Sequence, residues 1–280
     1  MYFYFIDDSK LSPHDRSRER AGNLVAVGGI IVSAEKVGPL EQELEAVCTQ
    51  KKYSVPNAEN IKWSPPKGSW LREHLDGEIR QELFAEMLKT VRQADAKVVV
   101  AITDSNCKQA NATASNHEID ATLLALERFN TWLAPNFGTV VVSKPSGGAK
   151  DEKKFVSECV EHLIAGTAYV DFGRLALKPM IMPANHARLL QVADLVVSIT
   201  NAHVSGGNHF AARHFPEILS MMPETSKGMK GGLGLKLHPS FRYRNLYHWL
   251  LSDEYFVEGS TGTALPDSEM PYPRNPREWR

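Results

Sequence analysis

Three aspartates sit where a chain of alternating strands and helices would put them to chemical use. Asp7 closes an aromatic, β-branched run, Tyr2-Phe3-Tyr4-Phe5-Ile6, and is followed directly by Asp8. Side chains alternate across a strand, so Asp7 and Asp8 point to opposite faces and are not equal partners. Asp104 closes a second apolar run, 97–103, with Ser105 and Asn106 after it. A turn or cap role is the better reading there. Asp194 lies inside Leu189-Leu190-Gln191-Val192-Ala193-Asp194-Leu195-Val196-Val197, the most apolar helical stretch of the chain. An ionised carboxylate buried in such a helix is costly unless it is paired, hydrogen-bonded or metal-bound. A narrow solvent stripe shared with Gln191, Ser198 and Asn201 is the equally weighted alternative.

Carboxylates that converge from a strand and a helix suit Mg²⁺ or Mn²⁺, which prefer hard oxygen ligands. Two such ions activate water and stabilise the leaving oxygen of a phosphodiester. Spacing alone does not show that Asp7 and Asp194 meet. A candidate phosphate-contacting stretch lies further on. Lys227, Lys230, Lys236, Arg242 and Arg244 have no acid between them and stand beside Phe241 and Tyr243, as a nucleic-acid contact would require. A solvated face explains them equally well. Gly147-Gly148 matches neither a P-loop nor a dinucleotide fingerprint and reads as a turn. Asn185 and His186 read as caps of the helix that follows. The histidines show no metal-binding spacing, and His203, His209 and His214 read as scattered core or surface residues. Cys48, Cys107 and Cys159 are odd in number and widely spaced, which argues against a disulfide framework or a structural zinc and for free thiols.

Hydrophobic periodicity gives the elements that must position these groups. Strands are expected at 2–6 and 24–33, the second interrupted near Gly28-Gly29, and a charged loop joins them as an antiparallel pair. Helices are expected at 34–52, 78–93, 118–133, 153–164 and 187–203. Further strands fall at 97–103 and 139–142, and 168–182 is expected to be extended. An irregular stretch, 53–77, surrounds Ile61-Lys62-Trp63. Residues 205–236 are rich in Gly, Met, Lys and Pro, and an amphipathic piece follows at 243–251. This order predicts an α/β fold, a mixed sheet with helices on both faces. One domain spans 1–250, and a proline-rich tail, 251–280, is loosely held.

Composition is consistent with that fold. The chain has 280 residues, 42% hydrophobic and 23% charged, enough to bury a sizeable core. A formal net charge of -1 provides no whole-molecule attraction for nucleic acid or an anionic membrane, so any such contact must be local. No stretch approaches the ~18 apolar residues of a spanning helix, and no basic n-region precedes the first apolar run, so a cytoplasmic location is expected.

Several short segments, in order along the chain, resemble the domain of unknown function 3800 family. Tyr4-Phe5-Ile6-Asp7-Asp8-Ser9 resembles its opening Y-I-D-E-S-G signature, and Gly28-Gly29-Ile30-Ile31-Val32 its second strand. Ile61-Lys62-Trp63-Ser64 resembles its E-[IL]-K-W-S element, Leu190-Gln191-Val192-Ala193-Asp194-Leu195 its late L-Q-x-A-D-L helix, and Gly234-Leu235-Lys236-Leu237-His238-Pro239 its closing G-x-K-x-x-P. The resemblance implies an RNase H-like fold with an antiparallel first hairpin. It also implies a metal-dependent phosphodiesterase or nuclease in which Asp7 and Asp194 bind Mg²⁺ or Mn²⁺. Asp104 or Glu59 would then be further acids, Lys62 would contact a phosphate or carboxylate, and Gln191 would orient Asp194 or the substrate. There are departures. Asn60 stands where the family has Glu, Ser143-Lys144 where an acid is expected after the middle strand, and Lys10 where it has Gly. These departures leave two alternatives open: a catalytically silent module that binds nucleic acid or a protein partner, and a hydrolase of a small phosphorylated substrate.

Overall fold

The computed structural model describes residues 1–15, 18, 21–57, 59–105, 117–144, 149–206, 208–258 and 261–265. The first strand, β1 (Tyr2–Leu11), continues beyond its apolar run through Asp7 and Asp8. It pairs antiparallel with β2 (Leu24–Ser33), Asp7 opposite Gly28. β2 is buried at every residue but its last and passes Gly28-Gly29 without the expected interruption. Glycine is needed there for closeness. A Cβ at Gly29 would lie 2.1 Å from the Phe5 carbonyl oxygen and 2.8 Å from Ala193 Cβ, so a side chain would lift the helix carrying Ala193 off the sheet.

The chain continues through α1 (Ala34–Cys48), α2 (Trp70–His74) and α3 (Gly77–Gln93) to β3 (Lys97–Asp104). α3 starts where Asp76 accepts a hydrogen bond from the Ile79 N–H at 2.9 Å, a side-chain N-cap. After α4 (His117–Trp132), β4 (Gly138–Ser143), α5 (Ala149–Ala165) and β5 (Met180–Met182) comes α6 (Arg188–Ser205), buried along almost all of its length. Then follow α7 (His209–Met221), β6 (Leu235–His238), α8 (Ser240–Leu251) and the hairpin β7 (Tyr255–Glu258) and β8 (Thr261–Ala264).

Six strands form one mixed sheet in the order β5-β4-β1-β2-β3-β6. β2 runs antiparallel to both neighbours, and the β1–β4, β4–β5 and β3–β6 pairs are parallel. Phe5, Val100 and Val141 face a core built with α1, α3, α6, α7 and α8, whereas Tyr4, Ile6, Val99 and Val142 face α4 on the other side. The α/β class, the antiparallel first hairpin and the two helical layers are therefore present. No helix among the described residues is long and apolar enough to cross a membrane.

Other stretches differ in detail from the sequence pattern. Within 168–182 only Met180–Met182 forms a strand, at the sheet edge. The stretch 205–236 contains a helix, α7, capped by Asn208, whose side chain accepts from the Ala211 N–H at 3.1 Å. Its Phe215, Ile218 and Met221 are buried in the core, a gain that outweighs the one backbone hydrogen bond Pro216 removes. The tail is also docked further than expected. Phe256 is buried and stacks on Tyr247 with centroids 5.2 Å apart, and Leu265 is buried as well. Residues 266–280, the Gly147-Gly148 turn, Asn106 and Cys107 lie outside the described residues.

Candidate acidic site where the first strand outruns its parallel neighbour

β4 pairs with β1 as far as Ile6–Val142 and ends at Ser143, so Asp7 lies just past the last paired residues, level with the end of its partner. Phe5 packs into the core shared with α6, and strand alternation puts Asp7 on that same face. Asp194 projects from α6 and is 9% exposed. Gln191 and Asn201 are buried too, so the solvent stripe considered for this helix does not exist. The Trp63 backbone N–H donates to Asp194 Oδ2 at 2.8 Å.

The charge of Asp194 reaches Asp7. Asp7 is pushed up from 3.8 to about 7, first by burial and then by the negative charge of Asp194. The Asp8 N–H, donating to Asp7 Oδ1 at 2.9 Å, and the Lys62 ammonium pull it back only in part. Asp194 is pushed up to about 6 by burial, against the Trp63 N–H and Lys62, while the charge of Asp8 adds to the rise. Lys62 thus lies within electrostatic reach of Asp7, Asp8 and Asp194, yet closes no ion pair among the described residues. Two acids with raised proton affinity can share a proton or hold a cation.

Asp8 faces the other way, as alternation requires. Lys10 lies 3.7 Å from it and 2.7 Å from Glu118 on α4. A cavity of about 30 Å³ opens here, with Asp7, Asp8, Glu118, Thr122, Ser143 and Phe155 among its walls.

The remaining expected residues do not join the pair. Asp104 is fully buried, accepts from the Tyr243 hydroxyl at 2.5 Å and pairs with Arg242 at 3.3 Å. It lies opposite Leu24, four residues from Gly28 and hence roughly 13 Å along the strands from Asp7's level. It braces α8. Glu59 turns its Oε1 to the Leu71 N–H at 3.3 Å, at the start of α2. Gln191 does not orient Asp194. Its Nε2 donates to the Ala184 and Glu59 carbonyls at 3.1 and 3.4 Å. The basic stretch is largely occupied. Lys236 is buried and donates to Ser240 Oγ, Lys230 pairs with Glu224 at 2.6 Å, and Arg242 holds Asp104. Lys227 is exposed and Arg244 partly so.

Sequence reading missed two participants. The Trp63 N–H is a backbone group and carries no residue signature. Arg188 was visible, because a cation in the first turn of a helix opposes the macrodipole and so implies a buried acidic partner. That partner is Glu45 on α1, whose Oε2 lies 2.8 Å from Arg188 Nε.

Among the described residues no group of three or more His, Cys, Asp or Glu is gathered to hold a metal. The pair fits a smaller donor set. Mg²⁺ is commonly held by one or two carboxylates, with waters and substrate phosphate completing its shell. One observation suits such an ion: the negative charge of Asp194 acts on Asp7, and Lys62 offsets it only in part. A scan against protein-family models found no match, and a search of curated proteins found none either.

Proposed function

We propose that the chain is a metal-dependent phosphodiesterase of RNase H-like type, with Asp7 and Asp194 as ligands of Mg²⁺ or Mn²⁺ and a nucleic-acid strand as substrate. One observation carries this reading. An acid from the central strand and an acid from a packed helix share one side of the sheet, close enough that the charge of Asp194 raises the proton affinity of Asp7. The part of that rise due to the second negative charge is a local potential that also attracts other cations, with which the proton competes.

A divalent ion bound there supplies a water of lowered pKa and neutralises charge on the phosphate. The protein's own groups do the rest. Trp63 fixes the rotation of the Asp194 carboxylate through its N–H. Lys62 takes a phosphate oxygen, the role that suits an ammonium near the acids but paired with none. Burial beneath α6 keeps the local dielectric low, which strengthens each of these contacts. With the 227–244 cations mostly engaged elsewhere, substrate recognition is local to Lys62.

The test is cleavage of labelled single- and double-stranded DNA and RNA with Mg²⁺ or Mn²⁺, beside Asp7→Asn. Metal-dependent cleavage lost in the variant is the expected result, and equal cleavage by both proteins sinks the reading. The absence of a carboxylate at Asn60 and Ser143 favours one second reading, a silent module of the same fold. Such a module would bind an oligonucleotide or protein partner with no Asp7-dependent metal binding.

A further inference from the structure

Arg188, Gln191 and Asp194 succeed one another at three-residue spacing on α6, and all three grip the same irregular segment. Arg188 Nη1 donates to the Glu59 carbonyl at 2.9 Å, and its Nη2 lies 3.4 Å from the carbonyls of both Pro56 and Asn57. Gln191 Nε2 reaches the same Glu59 carbonyl, and Gln191 Oε1 accepts from Arg188 Nη1 at 2.7 Å. Asp194 completes the row at the Trp63 N–H.

Arg188 is 4% exposed and sits at the positive end of its helix. Glu45 offsets its charge, and Glu41 accepts from the backbone N–H groups of Arg188 and Leu189, both at 2.9 Å. An apolar plug would fasten the segment at less desolvation cost. A guanidinium adds direction, because its fixed fork of donors sets the register of carbonyls that belong to no helix or strand. Register matters immediately downstream. Ile61 is fully buried in the core, the Trp63 N–H binds Asp194, and Lys62 between them lies within electrostatic reach of both carboxylates.

We propose that Arg188 is a positioning residue for Lys62, setting the register of the Pro56–Trp63 segment on α6 so that the ammonium is presented to the phosphate beside Asp7 and Asp194. The phosphate part rests on the phosphodiesterase reading, whereas the positioning of Lys62 does not.

The experiment compares full-length wild type, Arg188→Lys, Gln191→Leu, Lys62→Met and the Arg188→Lys/Lys62→Met double variant, each checked for folding by circular dichroism. Acylation of Lys62 by acetic anhydride, quantified by mass spectrometry, reads its position directly. Arg188→Lys should change the Lys62 rate several-fold and leave Lys153 unchanged. With a labelled oligonucleotide and Mn²⁺, Arg188→Lys should raise KM about tenfold with kcat nearly constant, and that penalty should vanish in the Lys62→Met background. Gln191→Leu, which keeps the Glu45 ion pair, should act in the same direction and guards against misfolding of the arginine variant. An unchanged Lys62 acylation rate in both folded variants overturns the proposal. Additive effects of Arg188→Lys and Lys62→Met do so too. A changed rate in a protein that cleaves nothing leaves the positioning standing and sinks the phosphodiesterase reading instead.

Discussion

Trp63 and Asp194 are 131 positions apart in the chain, yet the backbone N–H of one donates to Oδ2 of the other at 2.8 Å. This bond ties an irregular segment to the most buried helix and holds the acid facing β1. Asp194→Asn keeps an acceptor for Trp63 and removes the charge, so the fold should survive while metal-dependent cleavage falls by about 100-fold or more. Asp194→Leu leaves the N–H without a partner and should be less stable than Asp194→Asn by about 1–3 kcal/mol in urea unfolding. Equal midpoints for the two variants would contradict the role given to this bond.

Stability should depend on pH through the raised acids. Between 3.8 and about 7 the folded state holds more proton on Asp7 than the unfolded chain does, so this group's contribution declines as pH rises through that window. Asp194 acts with the same sign up to about 6. His203 and His214, pushed down to about 4 by burial, act in the opposite direction below 6.5. The difference between Asp7→Asn and wild type removes the histidine contribution. By thermal unfolding without metal, the variant's advantage should be near zero at about pH 4 and largest at about pH 8. An advantage that is flat or shrinks with pH counts against the buried, mutually repelling pair.

Ser143 offers a gain-of-function test. Val141 shares Phe5's core and the β1–β4 pairing ends one residue before Ser143, so this side chain falls on Asp7's face at the end of β4. Ser143→Asp adds a third carboxylate and should tighten Mn²⁺ binding about tenfold by calorimetry, because ligand charge sets affinity. Unchanged or weaker binding would place the ion elsewhere.

Gly29→Val tests what lets α6 reach the sheet. Its Cβ would collide with the Phe5 carbonyl and with Ala193, the neighbour of Asp194. We expect a loss of about 2 kcal/mol or more in chemical unfolding. A variant as stable as wild type would show that α6 does not depend on this close approach.

The parts of the fold that bury one repeating face were legible in the sequence. The Tyr2–Ile6 run and the apolar β2 stretch announce central strands, and the 187–203 pattern announces the helix observed at Arg188–Ser205. α7 was hidden by Pro216 and by the glycine-rich stretch after it, although its apolar face packs on the core. At the site, Asp7 was singled out as a strand end, but β1 runs on to Leu11, and the cost of an acid in an apolar helix singled out Asp194, which is buried. The partners of the other expected acids were not legible, because a carboxylate's type does not reveal what it pairs with. Asp104 is taken by Tyr243 and Arg242, and Glu59 by the first turn of α2. The same holds for the basic stretch, where the distant Asp104, the nearby Glu224 and a nearby hydroxyl occupy the cations.

Calorimetric titration of Mn²⁺ into wild type, Asp7→Asn, Asp194→Asn and, as a control, Glu59→Gln tests the central claim most directly. A binding event present in wild type and Glu59→Gln, and lost in both aspartate variants, is the predicted result. Mn²⁺ binding to Asp7→Asn with wild-type affinity would contradict the assignment of Asp7 and Asp194 as the metal-binding pair.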